Sequence, residues 1–256
     1  ASLITVLSVM NGFGSYLRSI MIQVGSHIVM NYEPIGGLQN VDQVMEELSK
    51  IPNVAACSPM MQSWGMIQRT DYTDGTPHMI TFMGIEPDRE TQVTGLGEKL
   101  VVGTLDGLKQ EKRLPTSENK VSLTELLENR GNSEKFPGIV IGKEMAYLFF
   151  GTEEIEGVTQ EETYRRVLGQ RLTLWTLPSG VDSVTEAKPT ERTFVVEGIF
   201  DTGHYDYDSS LVFISILSAQ VLLEVPEGRV NSIQFKLIDH SRTATEQTYQ
   251  ALSEQN

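Results

Sequence analysis

"RTFVVEGIFDTGHYDYDSSLVFISILSAQVLL", residues Arg192 to Leu223, contains two predicted strands and a predicted helix in close succession. Alternating apolar and polar residues predict the first strand from Thr193 to Phe200. The second strand is predicted at Leu211 to Ile214, and the helix follows at Ser218 to Leu223. This stretch therefore indicates a fold in which strands and helices are mixed.

The chain before this stretch predicts a layer of strands with one helix. Val41–Leu48 carries apolar residues at the spacing of an amphipathic helix. Strands are predicted around it at His27–Tyr32, Val54–Arg69 and His78–Ile85, the last two joined by a turn at Thr73–Thr76. Pro59 and Gly65 are the positions at which the long strand would break. The order strand, helix, strand, strand favours an α+β fold.

Further elements are predicted on either side of the quoted stretch. Residues 87–135 are charged and weakly periodic, with one predicted helix at Ser122–Asn129. The remaining predictions are strands at Gly138–Gly142, Arg171–Leu177 and Ser232–Leu237, and helices at Lys143–Phe150, Thr159–Val167 and from Thr243 onward. Because the strand at Ser232–Leu237 and the last helix would complete the first layer, residues of about 93 to 228 are predicted to form an inserted second lobe.

The first 24 residues are unusually apolar. Residues 3–24 contain no proline and keep apolar side chains at helical spacing, which predicts one long helix. A membrane span needs about 20 apolar residues, and the run before Asn11 supplies about half of that. A basic region and a small-residue cleavage site, the marks of a secretory signal, are both missing. Two interpretations stay open, an N-terminal core helix and the last turns of a membrane helix.

Charge and cysteine content exclude some classes of protein. The 256 residues include 34 acidic and 20 basic ones, for a formal net charge of −14. A nucleic-acid-binding protein needs a basic face to neutralise phosphates, so this class is disfavoured. Cys57 is the single cysteine, which excludes a disulfide framework and a CxxC zinc site within the chain.

Gly138–Lys143 comes close to a phosphate-binding loop. It is one residue short of the GxxxxGK[ST] pattern, and Glu144 occupies the position of the hydroxyl that binds magnesium. A carboxylate there would repel phosphate. The segment is therefore predicted to be a turn between a strand and a helix, and no nucleotide is expected to bind.

Two sets of possible metal ligands are present. On a strand, His204, Asp206 and Asp208 would share one face and could hold a divalent cation, but a solvated loop with tyrosines packed beneath it is favoured. Five methionines on the two paired strands could bind copper(I), although core filling is the commoner role: Met60, Met61, Met66, Met79 and Met83. With no catalytic motif in the chain, neither an enzyme nor a cofactor is predicted.

Four stretches together resemble a known family. They are "LITVLSVMNGF" at Leu3–Phe13, "MGIEP" at Met83–Pro87, "GIVIGKEMAYLF" at Gly138–Phe149, and the quoted Arg192–Leu223 stretch, which is the most specific. In this order they resemble the permease subunits of lipoprotein-releasing ABC transporters of the LolC/LolE type. That group also includes MacB-type exporters and the cell-division protein FtsX.

The resemblance implies a two-lobe α+β periplasmic domain that lies between two transmembrane helices of an inner-membrane permease. Residues 1–25 would be the end of the first membrane helix and a stalk. Residues 26–92 and 229–256 would form a porter-like α/β lobe, the latter leading to the second membrane helix. Residues 93–228 would form an inserted, strand-rich lobe called the sabre. The implied partners are a cytoplasmic ABC ATPase subunit, which hydrolyses ATP, and a second permease subunit or an identical copy.

The resemblance also implies a docking loop, the hook, between two strands of the sabre lobe. The hook of the family contacts a periplasmic lipoprotein carrier of the LolA type, and residues 177–192 occupy its position here. The residues expected to contact the carrier are Pro178, Ser179, Gly180, Val181, Asp182, Val184, Pro189 and Arg192. Unlike a strongly apolar loop, this one is acidic and offers only Val181 and Val184 at its centre.

Two other functions remain as alternatives. The chain could be the periplasmic domain of a MacB-like exporter or an FtsX-like regulator, which would dock an adaptor or a hydrolase. It could also be a free-standing enzyme or a metal-binding protein. A neighbouring gene for a LolA-like carrier would favour lipoprotein release, and elemental analysis of the purified protein would test for a metal.

Overall fold

A computed structural model describes residues 26–32, 37–71, 76–109, 136–151, 159–178, 188–239 and 241–253. Four sequence predictions lie wholly or mostly outside these residues. They are the stalk helix within residues 1–25, the turn at Thr73–Thr76, the helix at Ser122–Asn129 and the centre of the hook-like loop.

Nine strands of the described part form one mixed sheet. They are β1 (Ile28–Asn31), β2 (Val54–Arg69), β3 (His78–Ile85), β4 (Leu100–Gly103), β5 (Gly138–Gly142), β6 (Arg171–Thr176), β7 (Thr190–Phe200), β8 (Leu211–Ser215) and β9 (Ser232–Leu237). The strand order is β1-β9-β2-β3-β8-β5-β7-β4, and β6 additionally bridges β2 and β7.

The sheet joins the two predicted lobes through hydrogen-bonded strands. β9 (Ser232–Leu237) pairs antiparallel with both β1 and β2. β3 pairs parallel with β8, and β2 pairs antiparallel with β6. Strands before residue 93 therefore bond directly to strands after it. The boundaries at 93 and 228 stay a prediction.

Seven α-helices of the described part flank the sheet. They are α1 (Val41–Leu48), α2 (Pro87–Thr94), α3 (Lys143–Phe150), α4 (Gln160–Arg165), α5 (Tyr205–Ser210), α6 (Ile216–Leu222) and α7 (Arg242–Ser253), with 3-10 turns at Leu96–Lys99 and Asp106–Leu108. Helices α2 and α5 and strand β4 were not predicted. Pro87 is the first residue of α2, where a missing backbone N–H costs no helical hydrogen bond. Gly95 follows the last residue of α2 with φ +68°, the left-handed conformation that commonly ends a helix at glycine.

Strand β2 continues through both positions at which a break was considered. At Pro59 only one edge of β2 is paired, with β9, because the β3 ladder begins at Met60. A proline is tolerated where one edge of the strand needs no hydrogen bond. At Gly65 the backbone of β6 passes so close that a Cβ atom would lie 2.6 Å from the Trp175 carbonyl oxygen.

The described residues form three hydrophobic cores: the two larger ones lie on opposite faces of the sheet, and a third lies between α1 and strands β1 and β9. Neighbouring residues alternate between the two larger cores, as the period of two in a strand requires. One core contains Met61, Ile139, Ile141, Ile214 and, from α6, Ala219 and Leu222. The other contains Met60, Val140, Phe213 and, from the 3-10 turns, Leu96 and Leu108. Helices on both faces of one sheet confirm the predicted mixed α and β fold class.

Candidate docking face at the base of the 178–189 segment

The β6–β7 hairpin carries the predicted hook-like loop at its end. The two strands pair antiparallel from Arg171–Val195 to Thr176–Thr190. Pro178 and Pro189 lie just beyond the last pair, so the structure brings the two predicted base prolines to the same end of one hairpin. The central residues of the loop lie outside the described residues: Ser179, Gly180, Val181, Asp182 and Val184.

Large apolar side chains lie exposed on the sheet next to this hairpin end. Met66 on β2 pairs with Met79 on β3 and with Trp175 on β6. Paired residues of antiparallel strands point to the same face, and so does Trp64, two residues before Met66. The exposed fractions are 47% for Trp64, 44% for Met66 and 60% for Met79, while Trp175 is half-buried. These four residues form the exposed apolar face.

This face is more than a scatter of single apolar side chains. Three of the eight large hydrophobic residues exposed in the described part of the chain belong to it. On the same strands, Ile67, Ile80 and Leu174 point to the other side of the sheet and are buried in the core. Contiguous exposed apolar surface of this kind marks an interaction site more often than isolated residues do.

Hydrogen bonds hold the face in place before any partner binds. The Trp175 indole Nε1 donates to Glu191 Oε2 at 2.7 Å across the hairpin. Thr176 Oγ1 donates to the Trp64 carbonyl oxygen at 2.8 Å, which links β6 to β2. An aromatic side chain that is already fixed loses little conformational entropy on binding.

Arg192 lies on the opposite side of the sheet from Trp175. It pairs with Leu174, whose side chain is fully buried in the core. Its Nη1 donates to Ser218 Oγ of α6 at 3.2 Å, and its guanidinium lies 5.9 Å from the centre of the Phe194 ring. Arg192 thus ties the base of the hairpin to α6.

The segment that came close to a phosphate-binding loop has a structural role. Lys143 Nζ lies 2.7 Å from Asp201 Oδ2, and this hydrogen bond raises the pKa of the lysine. At Gly142 a Cβ atom would lie 2.2 Å from the backbone oxygen of Asp208. Glycine and lysine are therefore required here for close packing and for an ion pair, in agreement with the predicted strand-to-helix turn.

His204, Asp206 and Asp208 do not share one face of a strand, because this stretch forms α5 with His204 immediately before it. The favoured alternative, a solvated loop, is also wrong for Asp208, which is fully buried. The prediction of packed tyrosines is confirmed at Tyr207, which is buried against the His204 ring, and is wrong at Tyr205, which is exposed. In the described part of the chain no group of three or more His, Cys, Asp or Glu residues is placed to hold a metal ion.

The five methionines are divided among three environments. Met61 lies in one of the two larger cores, and Met60 and Met83 lie in the other, so core filling is confirmed for these three. Met66 and Met79 lie on the exposed apolar face instead. The set is therefore not gathered into one copper site.

Trp64 and Trp175 were missed as functional candidates, and Met66 and Met79 were considered only as possible copper ligands. Trp64 and Met66 alternate with Gly65 and Ile67, so both faces of this part of β2 are uncharged. Such a pattern predicts a strand but does not say which of its faces is covered.

Sequence comparison with known proteins agrees with the family resemblance seen in the four quoted stretches. The sequence model of the family described as MacB-like periplasmic core domain matches residues 1–252. Over 241 residues, or 93% of this chain, the sequence is 28% identical to the lipoprotein-releasing system transmembrane protein LolC of Xylella fastidiosa strain Temecula1. The protein of the same name in Neisseria meningitidis serogroup B is 24% identical over 242 residues. The chain spans 46% of the length of each of these curated relatives.

Solved structures of ABC transporter domains are also similar. The extracellular domain of the transporter YknZ from Gram-positive bacteria is 12% identical with a TM-score of 0.45, covering 89% of this chain and 92% of its own. The periplasmic region of MacB from Actinobacillus actinomycetemcomitans is 16% identical with a TM-score of 0.45, covering 91% of this chain and 84% of its own. Among the described residues, no helix is long and apolar enough to cross a membrane.

Proposed function

The chain belongs to the family of MacB-like periplasmic core domains, and on that premise we propose that it serves an inner-membrane ABC permease that releases lipoproteins. Its substrates would be lipoproteins of the inner membrane, which it would help to pass to a LolA-like periplasmic carrier. The similarity to two LolC proteins over nearly the whole chain supports this assignment. Because the chain spans about half of those relatives, the membrane helices and the cytoplasmic contacts of the permease are part of the proposal.

The observation that carries the docking proposal is the exposed apolar face beside the hairpin end. Its tryptophan and methionine side chains lie next to the end of the β6–β7 hairpin, whose last pair is Thr176–Thr190. Met is adaptable and Trp offers a large contact area, and both are common at protein-binding surfaces. The carrier would contact residues 177–192 and the exposed apolar face together.

The energy for release would come from outside the domain. A cytoplasmic ABC ATPase subunit would hydrolyse ATP, and a second permease subunit or an identical copy would complete the transporter. The periplasmic domain would transmit the resulting movement and would itself carry no catalytic residue or cofactor.

Deletion of Gly180–Ala187 tests the role of the loop. We expect the deletion to leave the thermal unfolding midpoint nearly unchanged, since the deleted residues are mostly small or polar, and to abolish capture of the purified carrier in a pull-down. Carrier capture at wild-type affinity by the deletion variant would contradict the hook assignment.

Introducing negative charge tests the exposed apolar face independently of the loop. The double variant Met66→Glu and Met79→Glu places carboxylates on the exposed apolar face, and we expect carrier affinity to fall by about tenfold or more because such groups resist desolvation. Tyr249→Glu on α7, at another exposed apolar position, is the matched control and should bind normally. Equal affinities for all three proteins would remove the face from the proposed interface.

A MacB-like exporter domain is the second candidate, because the matching family takes its name from MacB. An FtsX-like regulator belongs to the same alternative. Either would bind an adaptor or a hydrolase through this end of the domain. Binding of such a partner, with no binding of the carrier, would favour this alternative.

A further inference from the structure

Glu90 on α2 is a buried carboxyl group with only uncharged partners. Its side chain points down from α2 onto the sheet, and 1% of the residue is exposed. Ser58 Oγ donates to Glu90 Oε2 at 3.2 Å, and Thr94 Oγ1 donates to Glu90 Oε1 at 3.0 Å. Gln234 Nε2 donates to Glu90 Oε2.

These partners come from three elements that meet at this point. Ser58 on β2 and Gln234 on β9 are directly opposite each other in the antiparallel ladder, so both point to the same face. Thr94 lies one turn after Glu90 on α2. All three are buried, so the carboxyl group links α2 to two central strands away from water.

Each partner can serve either protonation state of the carboxyl group. Serine and threonine hydroxyls both donate and accept hydrogen bonds. The Gln234 amide presents NH₂ to a carboxylate, and a half-turn of its end would present the carbonyl oxygen to a protonated carboxyl. No backbone needs to move for the proton to bind or leave.

Charged groups around α2 are engaged elsewhere. Arg89 pairs with Asp42 and Glu86, Lys109 pairs with Asp88, and Lys236 of β9 donates to the Gln92 carbonyl. The other titratable groups on the elements packed against α2 are Cys57 and, at its far end, Arg69 on β2, and Glu98 and Lys99 on the 3-10 turn. Burial is the largest cause acting on Glu90 and raises its pKa to about 7, while its three hydrogen bonds act in the opposite direction.

We propose that Glu90, Ser58, Thr94 and Gln234 form a buried proton-binding site that makes the attachment of α2 to the sheet depend on pH. With the proton bound, the site is neutral and α2 packs on β2 and β9. Loss of the proton leaves a carboxylate beneath the helix without a counter-charge, which weakens the attachment. This inference does not depend on the proposed function.

Glu90→Gln tests the site, because glutamine is neutral at every pH and is similar in shape. The free carboxyl value of 4.5 and the folded value of about 7 set the window. We expect the unfolding constant of the wild type, relative to that of Glu90→Gln, to rise about 40-fold from pH 5 to pH 7 and by less than about twofold from pH 7 to pH 8. Urea unfolding at each pH measures this ratio, and Glu98→Gln at an exposed position on the neighbouring 3-10 turn is the control.

A purely structural role for Glu90 predicts a ratio that is the same at every pH, which would overturn the proposal. Carbon-13 NMR of wild-type protein labelled at glutamate Cδ keeps the test independent of how the variant folds. One glutamate carboxyl should titrate with a midpoint near 7, and its signal should be absent from Glu90→Gln or, if that variant does not fold, from Glu90→Asp. Titration of every glutamate below about pH 5.5 would likewise overturn the site.

Amide hydrogen exchange locates the effect. The amides of α2 should exchange faster in the wild type than in Glu90→Gln at pH 8, and the difference should be far smaller at pH 5. Comparing the two proteins at one pH cancels the intrinsic pH dependence of exchange. Equal rates at pH 8 would exclude α2 as the responding element.

Discussion

Asp208, on helix α5, is fully buried against Gly142 at the end of β5. One of its two carboxylate oxygens accepts two hydrogen bonds. Oδ1 accepts from the Thr202 backbone amide at 2.9 Å and from the Thr202 hydroxyl at 2.8 Å. Its Oδ2 accepts no hydrogen bond within the described residues, and the Asp201 carboxyl lies within hydrogen-bonding reach. Burial, and then the neighbouring Asp201, raise the pKa of Asp208. Two carboxyl groups this close repel each other when both are ionised, which favours the protonated form of Asp208.

Asparagine and alanine at position 208 should therefore differ. Asp208→Asn can still accept from Thr202 and donate to Asp201, so we expect the free energy of unfolding to change by less than about 1 kcal/mol. Asp208→Ala leaves the Thr202 donors unpaired in a buried site and should cost about 2 to 4 kcal/mol. Urea unfolding at neutral pH measures both changes, and equal losses in the two variants would show that the hydrogen bonds at position 208 do not contribute to stability.

The pH dependence of Asp208 has a defined sign. The pKa of Asp208 is 3.8 in the unfolded chain and is raised in the folded protein. The native state therefore binds this proton more tightly than the unfolded chain does. The stability that this provides is present below pH 3.8 and is lost as the pH rises towards the folded value. Asp208→Asn should therefore gain stability relative to the wild type as the pH is raised above 3.8.

At the scale of elements, β2 determines where the other strands can lie. Along one edge of β2, the first part pairs with β9 and the last residues pair with β6. Along the other edge, the middle of β2 pairs with β3. A strand of 16 residues can hold three partners in this way because each uses a different part of its two edges. The exposed apolar face exists because β3, β2 and β6 are side by side at this end.

Gly65→Ala tests this junction. A Cβ atom at Gly65 would lie 2.6 Å from the Trp175 carbonyl oxygen, so β6 would have to move away from β2. We expect a loss of about 1 to 3 kcal/mol in the free energy of unfolding, as for other overpacked sites. Gly97→Ala is the control, since its Cβ would lie at an ordinary 3.4 Å from the Thr91 methyl group. Equal stability of the two variants would show that β6 yields without cost.

Elements with a clear apolar pattern were predicted well from the sequence. The bounds of β2, α3 and β9 agree with those predicted, because their apolar residues recur at the period of a strand or a helix. Helix α2 was missed because two of its buried residues, Glu90 and Thr94, are polar and hide the pattern. The exposed apolar face was missed for the converse reason, since apolar residues on both sides of β2 do not reveal which side is covered.

The hook-like loop was predicted from a family resemblance, and the described residues give its frame. Pro178 and Pro189 flank the end of the β6–β7 hairpin, as a loop between these strands requires. The roles of Val181 and Val184 depend on contacts with a partner, which no pattern within one chain encodes. They stay predictions.

At the scale of the whole molecule, the first and last described strands are neighbours. β1 pairs antiparallel with β9 from Ile28–Phe235 to Asn31–Ser232. The chain therefore enters β1 and leaves β9 at the same end of this ladder. β3 and β8 differ, because they run parallel and pair from Thr81–Leu211 to Ile85–Ser215.

This pairing decides how the domain responds to tension. Force applied between residues 26 and 239 would separate β1 from β9 one hydrogen bond at a time, like a zip. Force applied between residues 78 and 215 would load the β3–β8 bonds together in shear. We expect the first pair of attachment points to yield at a clearly lower force in single-molecule pulling, with cysteine handles placed in a Cys57→Ser background. Equal rupture forces would contradict the zip geometry.

The β1–β9 ladder is therefore expected to be the first part of the sheet to separate when the two ends of the domain are pulled apart. Movements that carry both ends together displace the sheet as a solid body and put no load on β1 and β9. Movements that draw the ends apart open this ladder first and leave the central strands, with β6, β7 and the exposed apolar face, undisturbed. Motion that draws the two ends apart would therefore be taken up at the β1–β9 ladder before it reached the exposed apolar face.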